Sequence, residues 1–191
     1  MLRNLFQKAI RLWYSRTADE LPNNDSPVYL FYEKEFPFAI EDFISKIGLK
    51  KLKVKGSVGI GGFAHVPFMS IRNTEIADQV SEGPSVTYLF SPHLGKLFLT
   101  LIQGTRGLDI DQIRRSTLEL RQSIRQPEGF SLGIPEKLAK NERRDTMAFK
   151  LRIATAYSKE YEFENLPSDE DLETDLRRSL KSYCDFVSRS I

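Results

Sequence analysis

The stretch KLKVKGSVGIGGFAHVPFMSIR, Lys51–Arg72, decides the reading of this chain. Residues 51–58 alternate basic and apolar side chains, the period-two pattern of a half-buried strand. Gly59, Gly61 and Gly62 then break the pattern, and Val66–Ile71 resumes it as a second strand. Two further β-rich runs follow within GPSVTYLFSPHLGKLFLTLIQGT, Gly83–Thr105: Val86–Phe90 and Lys96–Gln103. Ser91–Gly95 between them has the composition of a short hairpin loop. From Ile44 to Thr74 the charged residues are Lys46, Lys50, Lys51, Lys53, Lys55 and Arg72, all of one sign. Alternate side chains share a strand face, so Lys51, Lys53 and Lys55 are expected on one side of the first strand. A glycine turn between strands and an anion-binding loop share this sequence signature. The adjacent lysines favour the second, because glycine lets backbone N–H groups come close to a phosphate.

Outward from this segment, residues 2–16 carry Leu2, Leu5, Phe6, Ala9, Ile10 and Trp13 at helical spacing. Residues 16–27 have loop chemistry, Val28–Tyr32 reads as a short strand, and Phe36–Lys46 as a helix that stops before Gly48. Beyond Thr105, Asp109 or Asp111 caps a helix reaching about Arg125, with Arg114, Arg115, Arg121 and Arg125 on its solvated side. Pro135–Lys140 is read as a short helix and Met147–Tyr157 as a strand, from the alternation of Phe149, Leu151, Ile153 and Thr155. Ser168 caps a final helix whose stripe is Leu172, Leu176, Leu180, Tyr183 and Val187, with the acidic run to Asp175 as a capping box and solvated face. The predicted class is α+β: a mostly antiparallel sheet, flanking helices and a closing C-terminal helix.

At 191 residues the chain is read as one domain, with an N-terminal helix and linker over 1–44 and a core over 45–191. Net charge is only +2, so charge placement is more informative than its sum. Lys46–Lys55 is basic, whereas residues 160–175 carry eight carboxylates. A single cysteine, Cys184, excludes an internal disulfide and fits a reducing compartment. Neither a secretory leader nor a membrane-spanning apolar run is visible, and the expected location is the cytoplasm. No P-loop or dinucleotide-binding fingerprint is present, and His65, His93 and Cys184 make a poor metal-ligand set. Neither cofactor nor metal is therefore expected.

Taken together, the glycine loop, the Val66-Pro67-Phe68 turn, the Gly83–Phe90 strand and the Lys96–Thr105 strand resemble the N-terminal domain of McrB-type restriction subunits. Tyr157, Tyr161, Leu166-Pro167, Asp175-Leu176 and Tyr183 continue the resemblance, which covers roughly residues 45–190. It implies a non-enzymatic module that binds double-stranded DNA and reads a modified cytosine by flipping it into a pocket. An NTPase motor and a nuclease, fused or in trans, are the implied partners. By position, Ile60 matches the residue that wedges into the duplex, Phe68 an aromatic pocket wall, Leu89 an apolar wall, Ser85 a pocket-side residue and Phe149 a later contributor. Where relatives carry bulkier residues this chain has Pro84-Ser85, which implies a roomier pocket and a modification larger than methyl. Phosphates are expected against Lys51, Lys53, Lys55, Ser57, the backbone of Gly59, Gly61 and Gly62, and His65. Two other readings compete. One is a protein–protein module of a defence complex using the acidic last helix. The other is a nuclease using Asp109, Asp111 and Glu119, residues whose placement on one helix also suits capping and solvation.

Overall fold

Helical spacing in the first residues gives helix α1, Leu2–Ser15, whose Leu2, Phe6, Ala9 and Trp13 are buried. The computed structural model describes residues 1–17, 19–76, 82–144 and 146–190. Ser26 and Pro27 start a second helix, α2 (Pro27–Leu30), and Ser26 Oγ accepts the Tyr29 N–H at 3.2 Å. The strand expected over Val28–Tyr32 is therefore helix. A π-helical turn, Phe31–Glu35, follows and runs into α3, Phe36–Lys46, which ends before Gly48 at φ +77°. The wider turn lets Phe31, Tyr32 and Phe36 all face inward, each at most 1% exposed. Their rings meet those of Phe6 and Phe90 in tilted and edge-on pairs, each worth about 0.5–1.5 kcal/mol beyond simple burial.

The sheet holds six antiparallel strands: β1 (Leu52–Ser57), β2 (Phe68–Asn73), β3 (Ser85–Ser91), β4 (Lys96–Ile102), β5 (Ser131–Leu132) and β6 (Thr155–Glu162). Their order is β1-β2-β3-β4-β6-β5. Alternation divides the side chains between two cores. Met69, Ile71, Val86, Tyr88, Phe90, Leu97, Leu99 and Leu101 face one way and join α1, α3 and the last helix in the larger core. Leu89, Phe98 and Ile102 face the other way and pack with Val66, Ile113, Ile134, Leu138 and Ala148.

The outer edge of β1 is closed by the helical segment that precedes it. Glu41 Oε1 accepts the Val54 N–H at 3.1 Å. Gly56 makes this approach possible: a Cβ there would lie 1.7 Å from the Tyr32 carbonyl oxygen. Unpaired strand N–H groups invite pairing with another chain, and here a carboxylate occupies that of Val54.

Helix α4, Ile110–Ser123, begins at Asp109, whose side chain forms a capping box with Gln112. Arg121 departs from the expected solvated face, since its guanidinium donates to the carbonyls of Thr155 and Ala156 at 3.0 and 3.1 Å. Met147–Tyr157 is mostly not a strand. Thr146 caps helix α5, Met147–Ala154, and the strand starts only at Thr155. The alternation of Phe149, Leu151 and Ile153 coexists with Ala148, Leu151 and Ala154 at helical spacing, and it is Ala148 and Ala154 that become buried. Pro135–Lys140 forms no helix, and the backbone groups of Leu138 at its middle are engaged by side chains instead. Glu142 accepts the Leu138 N–H at 2.7 Å, and Ser91 Oγ donates to the Leu138 carbonyl at 2.7 Å.

The last helix, α6 (Asp169–Ser190), is capped by Ser168 and buries its predicted stripe of Leu172, Leu176, Leu180, Tyr183 and Val187. Asp175 is not on a solvated face: it sits 2.7 Å from Lys159 Nζ and accepts from Tyr161 Oη at 3.0 Å. Tyr183 Oη accepts the Asn73 N–H at 2.8 Å, tying the helix to the end of β2, and burial pushes this phenol up to about 12. Among the described residues no helix is long and apolar enough to cross a membrane.

Candidate nucleic-acid interface

After Ser57 the chain leaves the sheet, and the Ala64 N–H donates to the Val58 carbonyl at 2.6 Å, closing the glycine loop at its base. Gly59 at φ +114° is dictated by conformation and by space, since a Cβ there would meet the Gly62 carbonyl oxygen at 2.2 Å. Gly61 at φ +70° has open space around it. Between them Ile60 projects into solvent with a relative exposure of 101%. A wholly wetted β-branched apolar side chain gains from burial against something else.

Lys53, Lys55 and Ser57 share one face of β1, and the strand register sets them opposite Arg72, Ser70 and Phe68 of β2. Both lysines are exposed. Lys51 does not belong to this row. It precedes β1 in a left-handed conformation at φ +66°, and its ammonium pairs with Glu75 at 2.6 Å. Arg72 is half-buried, and its Nε has no hydrogen-bond partner among the described residues.

On the same sheet face lies a cleft of about 90 Å³ bounded by Phe68, Ser85, Thr87, Met147, Leu151 and the turn at 102–105. Phe68 and Ser85, both singled out from the sequence, meet here. Leu89 does not: it is fully buried in the smaller core, behind Phe68. Phe149 does not either, because on a helix it points away from Met147 and Leu151, and the Arg152 guanidinium lies 5.1 Å from its ring centre. Thr87 could have been found from its i+2 relation to Ser85. Met147 and Leu151 are one helical turn apart and were hidden by the strand reading of that segment.

The cleft's polar end is a chain of buried hydroxyls. Thr87 Oγ1 donates to Ser70 Oγ at 3.0 Å and also lies 3.0 Å from Ser85 Oγ. With the threonine proton committed to Ser70, Ser85 donates to Thr87, and the serine oxygen is left as an acceptor. The lining is otherwise mainly apolar, with an aromatic edge. The volume is below the roughly 300 Å³ at which pockets for drug-sized ligands begin, and it is on the scale of one heterocyclic ring.

His65 lies outside the cleft on the loop's return limb, exposed, with Nε2 3.0 Å from Asn141 Nδ2. Asp109, a metal ligand in the nuclease reading, instead accepts the N–H groups of Asp111 and Gln112 at 2.9 and 2.8 Å. Among the described residues no group of histidine, cysteine and carboxylate side chains could hold a metal ion.

A family model described as MrcB-like, N-terminal domain, matches residues 9–188. No curated protein matches the chain.

Proposed function

The chain belongs to the MrcB-like N-terminal domain family, and on that premise we propose that it is the DNA-targeting module of a modification-dependent restriction system, flipping a modified cytosine into the Phe68–Ser85 cleft. The observation that carries this reading is a fully exposed Ile60 at the tip of the glycine loop together with a ring-sized cleft lined by β2, β3 and α5. Lys53, Lys55, Ser57 and the glycine-loop backbone contact phosphates. Ile60 fills the stack that the base vacates, which offsets part of the few kcal/mol that unstacking costs. Phe68 supplies a ring edge or face, and Ser85 Oγ accepts from the exocyclic amine of cytosine or from a hydroxymethyl group. The NTP-driven motor and the nuclease are supplied by other domains or chains.

The test is a titration against duplexes carrying one cytosine, 5-methylcytosine, 5-hydroxymethylcytosine or glucosylated hydroxymethylcytosine, at two salt concentrations. A fluorescent base analogue opposite or beside the target reports flipping. Phe68→Ala is expected to weaken binding to the preferred base by about 1–3 kcal/mol, the usual value of one base–aromatic stack, and to abolish discrimination. Ile60→Ala is expected to reduce the flipping signal with less effect on the ranking of bases. Equal affinity for all four duplexes, unchanged in Phe68→Ala, would overturn the reading. A preference for methyl alone would refute the expectation of a larger modification.

A further inference from the structure

A second cleft, of about 650 Å³, opens at the other end of β3, where α1, the glycine loop's return limb, the β3–β4 hairpin and the 139–141 segment converge. It gathers both histidines of the chain, His65 and His93, together with Arg16 and Lys140, over a floor of Trp13 and Phe63. Among the described residues lining it, none is acidic. The Arg16 guanidinium lies 3.9 Å from the centre of the Trp13 ring and 5.4 Å from that of Phe63, and it donates to the Trp13 carbonyl. Stacking fixes the plane of the fork, so less rotamer freedom is surrendered when it engages an anion. The acidic residue nearest in electrostatic effect is Glu20, whose carboxylate is engaged by Ser26 Oγ. His65 is oriented by Asn141, whose amide nitrogen donates to Nε2 and so leaves Nδ1–H as the ring's donor.

We propose that this cleft clamps the DNA backbone beyond the flipped base, with Arg16, His93 and Lys140 gripping phosphates that the Lys53–Lys55 row does not reach. The inference rests on the DNA-binding reading above and extends its footprint. Ser85 lines the first cleft, and Pro92-His93, just past the end of β3, line the second. At the usual rise per strand residue the two are on the order of 20 Å apart, which is about six steps along B-form DNA. A DNA backbone running from the first cleft past the end of β3 meets Lys53 and Lys55 on β1 and then Arg16, His93 and Lys140 at the second cleft. The first helix, read from sequence as a lead-in to the core, thereby supplies part of the binding surface.

The experiment measures affinity for duplexes in which the modified cytosine has about three or about ten flanking base pairs on one side or the other, a difference that spans the separation of the clefts. It uses the full chain and three variants, Arg16→Gln, Arg16→Lys and the double variant His93→Gln/Lys140→Gln. His93 and Lys140 are exposed, so the double variant keeps the fold even if removal of the Trp13 stack disturbs Arg16→Gln. For the wild type, lengthening one side is expected to raise affinity at least tenfold, and lengthening the other side is not. In the double variant and in Arg16→Gln that gain disappears, and the log–log salt slope falls by about 0.9 for each phosphate no longer neutralised. Arg16→Lys retains part of the gain, and the preference between modified and plain cytosine is unchanged throughout. If both variants keep the wild-type length gain and salt slope while base discrimination persists, the clamp is refuted and the base-pocket reading stands. Absence of salt-sensitive DNA binding by the wild type would overturn both.

Discussion

Gly56 and Gly61 are both glycines beside the candidate interface, yet the structure gives them opposite weights. A methyl group at Gly56 would be driven into the Tyr32 carbonyl, which belongs to backbone and cannot swing aside. Gly56→Ala is expected to cost about 3 kcal/mol or more, at the upper end for overpacking, and to lower the urea midpoint accordingly. Gly61→Ala meets no neighbour and bears only the left-handed conformation at φ +70°, about 1 kcal/mol. Equal midpoints for the two variants would contradict this account. The loop glycines stand out in the sequence and Gly56 does not, because close backbone approach by a distant segment leaves no local signature. The resemblance singled out both Ser85 and Phe68, which the fold brings to one cleft. Leu89 shares Ser85's parity but lies under the second core, a difference in depth that alternation along one strand does not encode.

At the scale of elements, the 134–142 segment shows what local reading misses. It is held by Glu142, whose side chain is 1% exposed, bonded to Arg152 Nε of α5 at 2.6 Å and to the Leu138 N–H at 2.7 Å. Breaking a buried pair from one side generally costs about 3–5 kcal/mol, and the partial exposure of Arg152 places Glu142→Ala near the lower figure. Hydrogen exchange at the Leu138 amide is expected to rise in that variant well beyond exchange in β3 and β4. Uniform acceleration across the protein would show that Glu142 is not a local tie. The same segment explains where the sequence misleads. Elements whose own residues carry the signal were legible: the amphipathic faces of α1 and α6, the caps at Asp109 and Ser168, and the alternating strands β1 to β4. Pro135–Lys140 has helix-compatible residues, but the carbonyl and N–H of Leu138 are taken by Ser91 and Glu142. At Met147–Ala154, three alternating apolar residues imitated a strand. At Val28–Tyr32, apolar composition read as a strand, whereas Ser26 and Pro27 start a helix there.

For the whole molecule, charge is segregated by pairing as much as by position. Lys96, 15% exposed, sits among Glu136, Glu160 and Glu162 at 3.0, 3.3 and 3.6 Å and binds the hairpin to β6 and to the 134–142 segment. Its hydrogen bond to Glu136, reinforced by that to Glu160 and opposed by burial, raises its pKa above the ordinary lysine value. A lysine raised in the folded state contributes stability that is full below the unfolded value of about 10.4 and is lost as pH rises through the folded one. The stability gap between wild type and Lys96→Met is therefore expected to be level from neutral pH to about pH 9 and to narrow above about pH 10.5. A gap that stays constant through that range would overturn the assignment. With those carboxylates occupied by Lys96, and Asp175 by Lys159, the cations of the second cleft face solvent with no acidic side chain among the described residues that line it.

The closure of the glycine loop at its base, where Ala64 bonds back to Val58, makes the tip at Ile60 a detachable cartridge. The side chain at its tip stands clear of both cores, so a library confined to residue 60 could retune how the duplex is entered while strand register and the loop glycines are kept.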